Sequence, residues 1–168
     1  MFEIRAEQKH DRAAVHAVHV AAFPTDAEAD LVDRLRSDAA PIVSLVAVHG
    51  GVVAGHLLFS PVTIDRAPKL PVMGLAPMAV LPDRQREGLG SALVHAGLDC
   101  CRERGARAVV VLGHPDYYPR FGFVPASRLG LRCVYDAPDE AFLALELAPG
   151  ALAAAAGTAH YHSAFGDL

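Results

Sequence analysis

Apolar and polar residues along this chain follow two rhythms, one with a period of two and one with a period between three and four. Residues 2–6 alternate, as a half-buried first strand would. Asp11 then stands where an N-cap belongs, and Val15, Val18 and Ala22 recur at helical spacing until Phe23-Pro24 breaks the pattern. Thr25 and Glu28 have the spacing of a capping box, and Leu31, Val32 and Leu35 supply the apolar face of the helix it would open. Runs 42–48 and 52–62 are β-rich and flank His49-Gly50-Gly51, which predicts a hairpin. Run 72–81 is a further strand with Pro77 in its middle. Having no amide hydrogen for a ladder, Pro77 marks an edge, a bulge or an interrupted pairing.

In the second half, Leu89, Ala92, Leu93, Ala96 and Cys100 define one face of a helix from Gly88 to about Arg104, with Gly105 suited to a left-handed cap. Residues 108–112 are continuously apolar, as expected of a strand buried on both faces. Asp116 is placed to cap a short helix carrying Tyr117 and Tyr118 and ended by Gly122. Runs 142–147 and 158–165 read as closing strands with a turn or helix at 151–156 between them. The expectation is a mixed α/β (α+β) fold, about seven strands and about four helices in a single domain over residues 1–168.

Composition narrows the class. With 168 residues, 52% hydrophobic and 20% charged, the chain has material for one soluble core. No run reaches the roughly 20 apolar residues of a membrane span, and the first residues lack a secretion-signal pattern, so a cytoplasmic location is expected. A net charge of -4 argues against nucleic acid as a partner and suits an amine-bearing one. Cys100, Cys101 and Cys133 have no metal spacing and read as reduced thiols. His160 and His162 could share a strand face, but no neighbouring carboxylate or Cys completes a ligand set, so no metal is expected.

The candidate chemistry lies between Val80 and Ser91, where a strand gives way to an amphipathic helix. Amides at a helix start lack intrahelical acceptors and sit at the positive end of the dipole, so they attract phosphate oxygens. Glycine at 88 and 90 would let a ligand approach the backbone. There is no P-loop pattern, the dinucleotide fingerprint is broken at Leu93, and neither Ser60 nor Ser91 lies in a nucleophile elbow.

The run Val80-X-Pro82-X-X-Gln85-X-X-Gly88-X-Gly90-X-X-Leu93 resembles the acetyl-CoA motif of the GNAT superfamily, and Tyr117-Tyr118-Pro119-Arg120-Phe121-Gly122-Phe123 resembles its later aromatic-pair and Gly-Phe signature. The likeness covers most of the chain and is greatest to YhbS-like members. It implies a mostly antiparallel sheet with a central splayed strand pair, a splay that Pro77 fits because a missing donor is tolerable where pairing is lost, and direct transfer of an acetyl group from acetyl-CoA to a primary amine of a small molecule or peptide. A non-catalytic acyl-CoA-binding or sensing module on the same fold is the alternative. The resemblance further implies that the Met78 and Val80 amides, with Ala79 between them, hold the pantetheine arm. The pyrophosphate would lie on Gln85, Arg86, Glu87, Gly88, Leu89, Gly90 and Ser91. Tyr118 would then sit beside the sulfur as general acid and cofactor contact. Glu28 borders the expected acceptor site, where it is either the base acting through water or half of a capping box. His56 and His114 are titratable near neutrality. A homodimer through the late strands is also implied.

Overall fold

The computed structural model describes residues 1–166, which form one nine-stranded sheet and three α-helices. The strands are β1 (Phe2–Ala6), β2 (Val43–His49), β3 (Val52–Ile64), β4 (Ala67–Val80), β5 (Ala108–Leu112), β6 (Val124–Pro125), β7 (Leu131–Cys133), β8 (Phe142–Glu146) and β9 (Gly157–His160). The helices are α1 (Arg12–Ala22), α2 (Ala27–Asp38) and α3 (Leu89–Glu103). The main path runs β1-β2-β3-β4-β5-β8-β6, while β9 pairs with β3 and with β7. Only β4–β5 and β7–β9 are parallel, so the sheet is mixed and mostly antiparallel.

Alternation along the central strands sorts side chains between two layers. On one face, Leu45, Leu57 and Phe59 pack with Leu89, Leu93, Val94 and Leu98 of α3. On the other, Val46 and Leu58 pack with Val15 and Val18 of α1 and Leu31, Val32 and Leu35 of α2. Helix α3 lies unusually close to β3, because a Cβ on Gly97 would stand 2.3 Å from the Phe59 ring and 3.1 Å from Leu57. Phe59 and Leu57 are fully buried and have no free volume to retreat into. Gly97→Val is therefore expected to destabilise the fold by about 1–3 kcal/mol, read as a lowered urea midpoint with unchanged slope.

Several local expectations need correction. Asp11 precedes α1 but makes no cap bond to it; its carboxylate accepts from the Arg5 guanidinium at 2.7 and 3.0 Å and from the Gln8 amide at 2.7 Å. The capping box at Thr25 and Glu28 is not formed, since α2 starts after Asp26 and Thr25 Oγ1 accepts from the Ala27 amide at 3.3 Å. Asp116 caps nothing: the Tyr117–Tyr118 segment is a single 3-10 turn, Tyr118–Phe121, closed by Gly122 at φ +99°. This accounts for three α-helices where four were expected. Two short strands, β6 and β7, and the extension of the β3–β4 hairpin through Asp65 and Arg66 were not foreseen; Pro68 and Pro71 disguise the hairpin arm. The run 151–156 is a turn, and β9 ends at His160, short of the expected 165.

Beneath β4, two histidines lie in the core. His19 of α1 and His56 of β3 are 0% exposed and joined by a 2.8 Å hydrogen bond between His19 Nε2 and His56 Nδ1. His56 Nε2 lies 2.8 Å from Ser44 Oγ, which donates to Glu7 Oε1 at 2.7 Å, and Glu7 is ion-paired with Arg36. The chain of donors fixes the tautomers. Because Ser44 spends its hydrogen on the carboxylate, it accepts from His56 Nε2–H, and His56 Nδ1 must accept from His19 Nε2–H. His19 Nδ1 is left as a bare lone pair without a partner.

Candidate active site

The fourth strand of the sheet parts company with the fifth midway. Pairing of β4 with β5 covers Val72, Met73 and Gly74, and from Leu75 onward the β5 side of β4 has no strand against it. The Leu81 amide donates to Ala54 of β3 at 2.8 Å, so by alternation the Ala79 amide also faces β3 while those of Met78 and Val80 face the open edge. Pro77 is in phase with Ala79 and Leu81, which puts its missing donor on the β3 side. There the β3–β4 register shifts between Leu57 and Phe59. The proline thus marks a bulge against β3, and the splay from β5 is a separate feature of the same stretch.

A cleft of about 900 Å³ follows this open edge. Its floor is Leu75 to Val80, and one wall is the turn into α3, including Gln85, Arg86, Gly88, Leu89, Gly90 and Ser91. The turn's conformation is written in its residues: Gly88 is the N-cap of α3 at φ +89°, in the left-handed region that glycine enters without strain. Arg86 also adopts φ 67°, which its residue type does not announce. The amides of Leu89, Gly90 and Ser91 open the helix, the first internal bond being Ala92 N–H to Gly88 C=O at 3.0 Å. The Gln85 side chain donates to the Val80 carbonyl at 3.2 Å and ties the turn to the strand end. Glu87 does not line the cleft; it is exposed and faces Arg84 at 3.9 Å.

The opposite wall carries the aromatic motif. Tyr118 is buried with its ring edge-on to Tyr117 and Phe123, and its hydroxyl has no hydrogen-bond partner among the described residues. Burial, then the neighbouring Tyr117, pushes its pKa up to about 12, so at neutral pH it is a proton donor. The ring fits because residue 113 is glycine: a Cβ there would meet Tyr118 Cε2 at 2.5 Å. Tyr117 reaches across the cleft to the α3 turn, with its hydroxyl 3.4 Å from Ser91 Oγ, and Arg120 stacks on its ring at 4.4 Å.

Glu28 lines the far end of the cleft together with Phe23, Leu31 and Phe165. Its Oε1 is buried and unpartnered, which follows from the capping box not forming. His114 also lines the cleft, whereas His56 does not, and burial, then the charge of His19, holds His56 well below the usual range, so it does not titrate near neutrality. The cleft thus gathers Tyr118, Glu28 and all the expected cofactor residues except Glu87. Phe23, Leu31, Gly113 and Phe165 carried no signal in the sequence beyond their own apolarity or smallness.

No helix among the described residues is long and apolar enough to cross a membrane. The three cysteines are free. His162 Nδ1 accepts from the Ala164 amide at 3.0 Å, beyond the end of β9, so it does not pair with His160 on a strand face.

The family model described as the Acetyltransferase (GNAT) family matches residues 6–123. An N-acetyltransferase of Escherichia coli K12 called YhbS is 40% identical over 163 residues, 96% of this chain and 97% of the relative. The crystal structure of YhbS from Escherichia coli in complex with CoA has a TM-score of 0.92 at 39% identity, covering 98% of this chain and 91% of that one. A GNAT acetyltransferase from Brucella melitensis in complex with acetyl-CoA has a TM-score of 0.80 at 37% identity, with 98% of each chain covered. With its splayed β4 edge, glycine-capped α3 and Tyr118 facing one cleft, and with these matches along nearly its whole length, the chain is an acyltransferase that belongs to the GNAT acetyltransferase family.

Proposed function

We propose that this chain transfers the acetyl group of acetyl-CoA directly to a primary amine of a small molecule or peptide. The observation that carries this reading is the open cleft along the unpaired half of β4, with anion-receiving amides at one end and Tyr118 and Glu28 at the other. The cofactors in the YhbS and Brucella melitensis structures support it. The pyrophosphate would rest on the turn from Gln85 to Ser91, mainly on the amides of Leu89, Gly90 and Ser91. The pantetheine arm would replace the missing strand, hydrogen-bonded to Met78 and Val80.

The reaction then needs alignment, oxyanion stabilisation and two proton movements. The neutral amine nitrogen attacks the thioester carbon, forming the C–N bond while the carbonyl electron pair moves to oxygen, where a backbone amide near Met78 donates. Collapse breaks the C–S bond, and the departing electron pair stays on sulfur, which takes its proton from Tyr118. The nitrogen releases its surplus proton to Glu28 through water, and Tyr118 is reprotonated from the same pool. The products are the amide and the CoA thiol.

CoA is expected to raise the unfolding temperature of the chain, and Gly88→Val to abolish that rise, because a β-branched residue cannot hold φ +89° without strain. Circular dichroism of the variant separates lost binding from lost folding. Thiol release on adding amines to acetyl-CoA and the protein tests the transfer itself. A rise in melting temperature without thiol release from any amine would leave a CoA-binding module in place of an enzyme.

A further inference from the structure

Glu28 is the sole carboxylate among the described residues lining the cleft, and Oε1, the oxygen it buries, has no partner. An unpaired buried acceptor costs about 1–3 kcal/mol unless a ligand supplies the donor. Around it the cleft is apolar: Ala22 and Phe23 come from the end of α1, Leu31 lies one turn after Glu28 on α2, and Phe165 closes the side. These residues belong to one hydrophobic cluster with Ala76 of β4. Phe23 is held in place by stacking on the buried His19 ring at 6.0 Å and 10°. This wall is therefore a firm surface backed by the core.

The cations that line the cleft belong to its turn and its aromatic motif. Arg84 faces Glu87 beside the glycine turn, and Arg120 stacks on Tyr117 and donates to the Tyr117 carbonyl at 2.9 Å. Arg86 lies within the turn itself. Among the described residues no cation is paired with Glu28, so this end of the cleft offers one unpaired anionic acceptor and several apolar surfaces. A polyamine or aminoglycoside would bring further ammonium groups with no second carboxylate lining the cleft, and an amino acid would bring its carboxylate beside the unpaired Glu28 carboxylate. Each would bury an unpaired charge.

We infer that the acceptor, on the acetyl-transfer reading above, is a small apolar monoamine whose single nitrogen reaches Glu28 through the bridging water while an aryl or alkyl body packs on Phe23, Leu31 and Phe165. Glu28 in this role selects the substrate as well as receiving its proton, and the aromatic pair sets the shape of the body.

The test uses 2-phenylethylamine and n-hexylamine against spermidine, kanamycin, L-alanine and a lysine-bearing peptide, with acetyl-CoA and thiol detection. The two apolar amines are expected to exceed the others at least tenfold in kcat/KM. Phe165→Ala is expected to raise KM for 2-phenylethylamine more than it lowers kcat, the split that marks a binding wall. Calorimetry of 2-phenylethylamine with the CoA-loaded protein gives a readout independent of turnover, and Glu28→Gln should weaken that binding about tenfold or more. If spermidine, kanamycin, alanine or the peptide were the better substrate, the inference would fall while acetyl transfer stood. If no amine released thiol, the transfer reading would fail; should 2-phenylethylamine then also not bind the CoA complex, the inference would fail with it.

Discussion

Tyr118→Phe is expected to lower amine acetylation about 100- to 10,000-fold, the range for removing a positioned general acid, with KM for acetyl-CoA little changed. The expectation rests on how this one hydroxyl is held. The ring is wedged between Phe123, Tyr117 and the bare face of Gly113, and the hydroxyl bonds to no other described residue. Phenylalanine keeps every one of those ring contacts, so the unfolding midpoint should stay where it is. The hydroxyl's pKa, raised to about 12 by burial first, keeps it protonated around neutral pH. Loss of the hydroxyl should therefore lower kcat throughout the neutral range without displacing the profile there. Gly113→Ala makes a complementary case, since the added methyl would push the intact hydroxyl out of register. Its turnover should fall too. A Tyr118→Phe protein with undiminished turnover would remove Tyr118 from the chemistry and leave its place in the core as its full role.

The parts of this site that could be read in the sequence are those where backbone conformation restricts residue choice. Gly88 at φ +89°, Gly105 at φ +89° and Gly122 at φ +99° each mark a left-handed position, and the turns they define fell where expected. The long amphipathic α3 was legible because its burial repeats with the helical period. Less was legible where tertiary contacts override local pattern. Thr25 and Glu28 carry capping-box spacing, yet the helix start shifts to Ala27 and Glu28 turns to the cleft. β6 is two residues long and β7 three, too short to show a period. His19 and His56 are 37 positions apart, and nothing in either neighbourhood indicates that one will accept from the other. Pro77 was read as fitting the splay, yet its missing donor faces β3, because the residue type reports a lost pairing and not the side on which it is lost.

The buried histidines govern the second expected result, a loss of stability on mild acidification. Burial, with smaller contributions from the charges of His16 and Arg36, lowers the His19 pKa from 6.5 to about 4, and His56 is also held well below 6.5 by burial and by His19. In the unfolded chain both titrate near 6.5. Above that pH neither state binds a proton and the pair has no effect on the pH dependence. As pH falls from about 6.5 towards 4, the unfolded chain takes up protons that the fold refuses, so stability declines. His19 alone contributes roughly 3 kcal/mol by the lower end of that window, and His56 adds in the same direction. A proton could enter only at His19 Nδ1, since the tautomer chain from Glu7 through Ser44 uses the other three ring nitrogens, and the buried N–H formed there would have no acceptor among the described residues. Asp11 works in a lower window: paired with Arg5, its folded pKa is about 2, so its stabilisation is lost only as pH drops below about 3.8 towards 2. Urea unfolding at intervals from pH 7 to pH 4 should show the histidine slope, and the double variant His19→Gln with His56→Gln should flatten it even where its neutral-pH stability is lower. An acid limb of unchanged slope in that variant would assign the pH dependence to other groups and leave the pair a purely neutral brace between α1, β2 and β3.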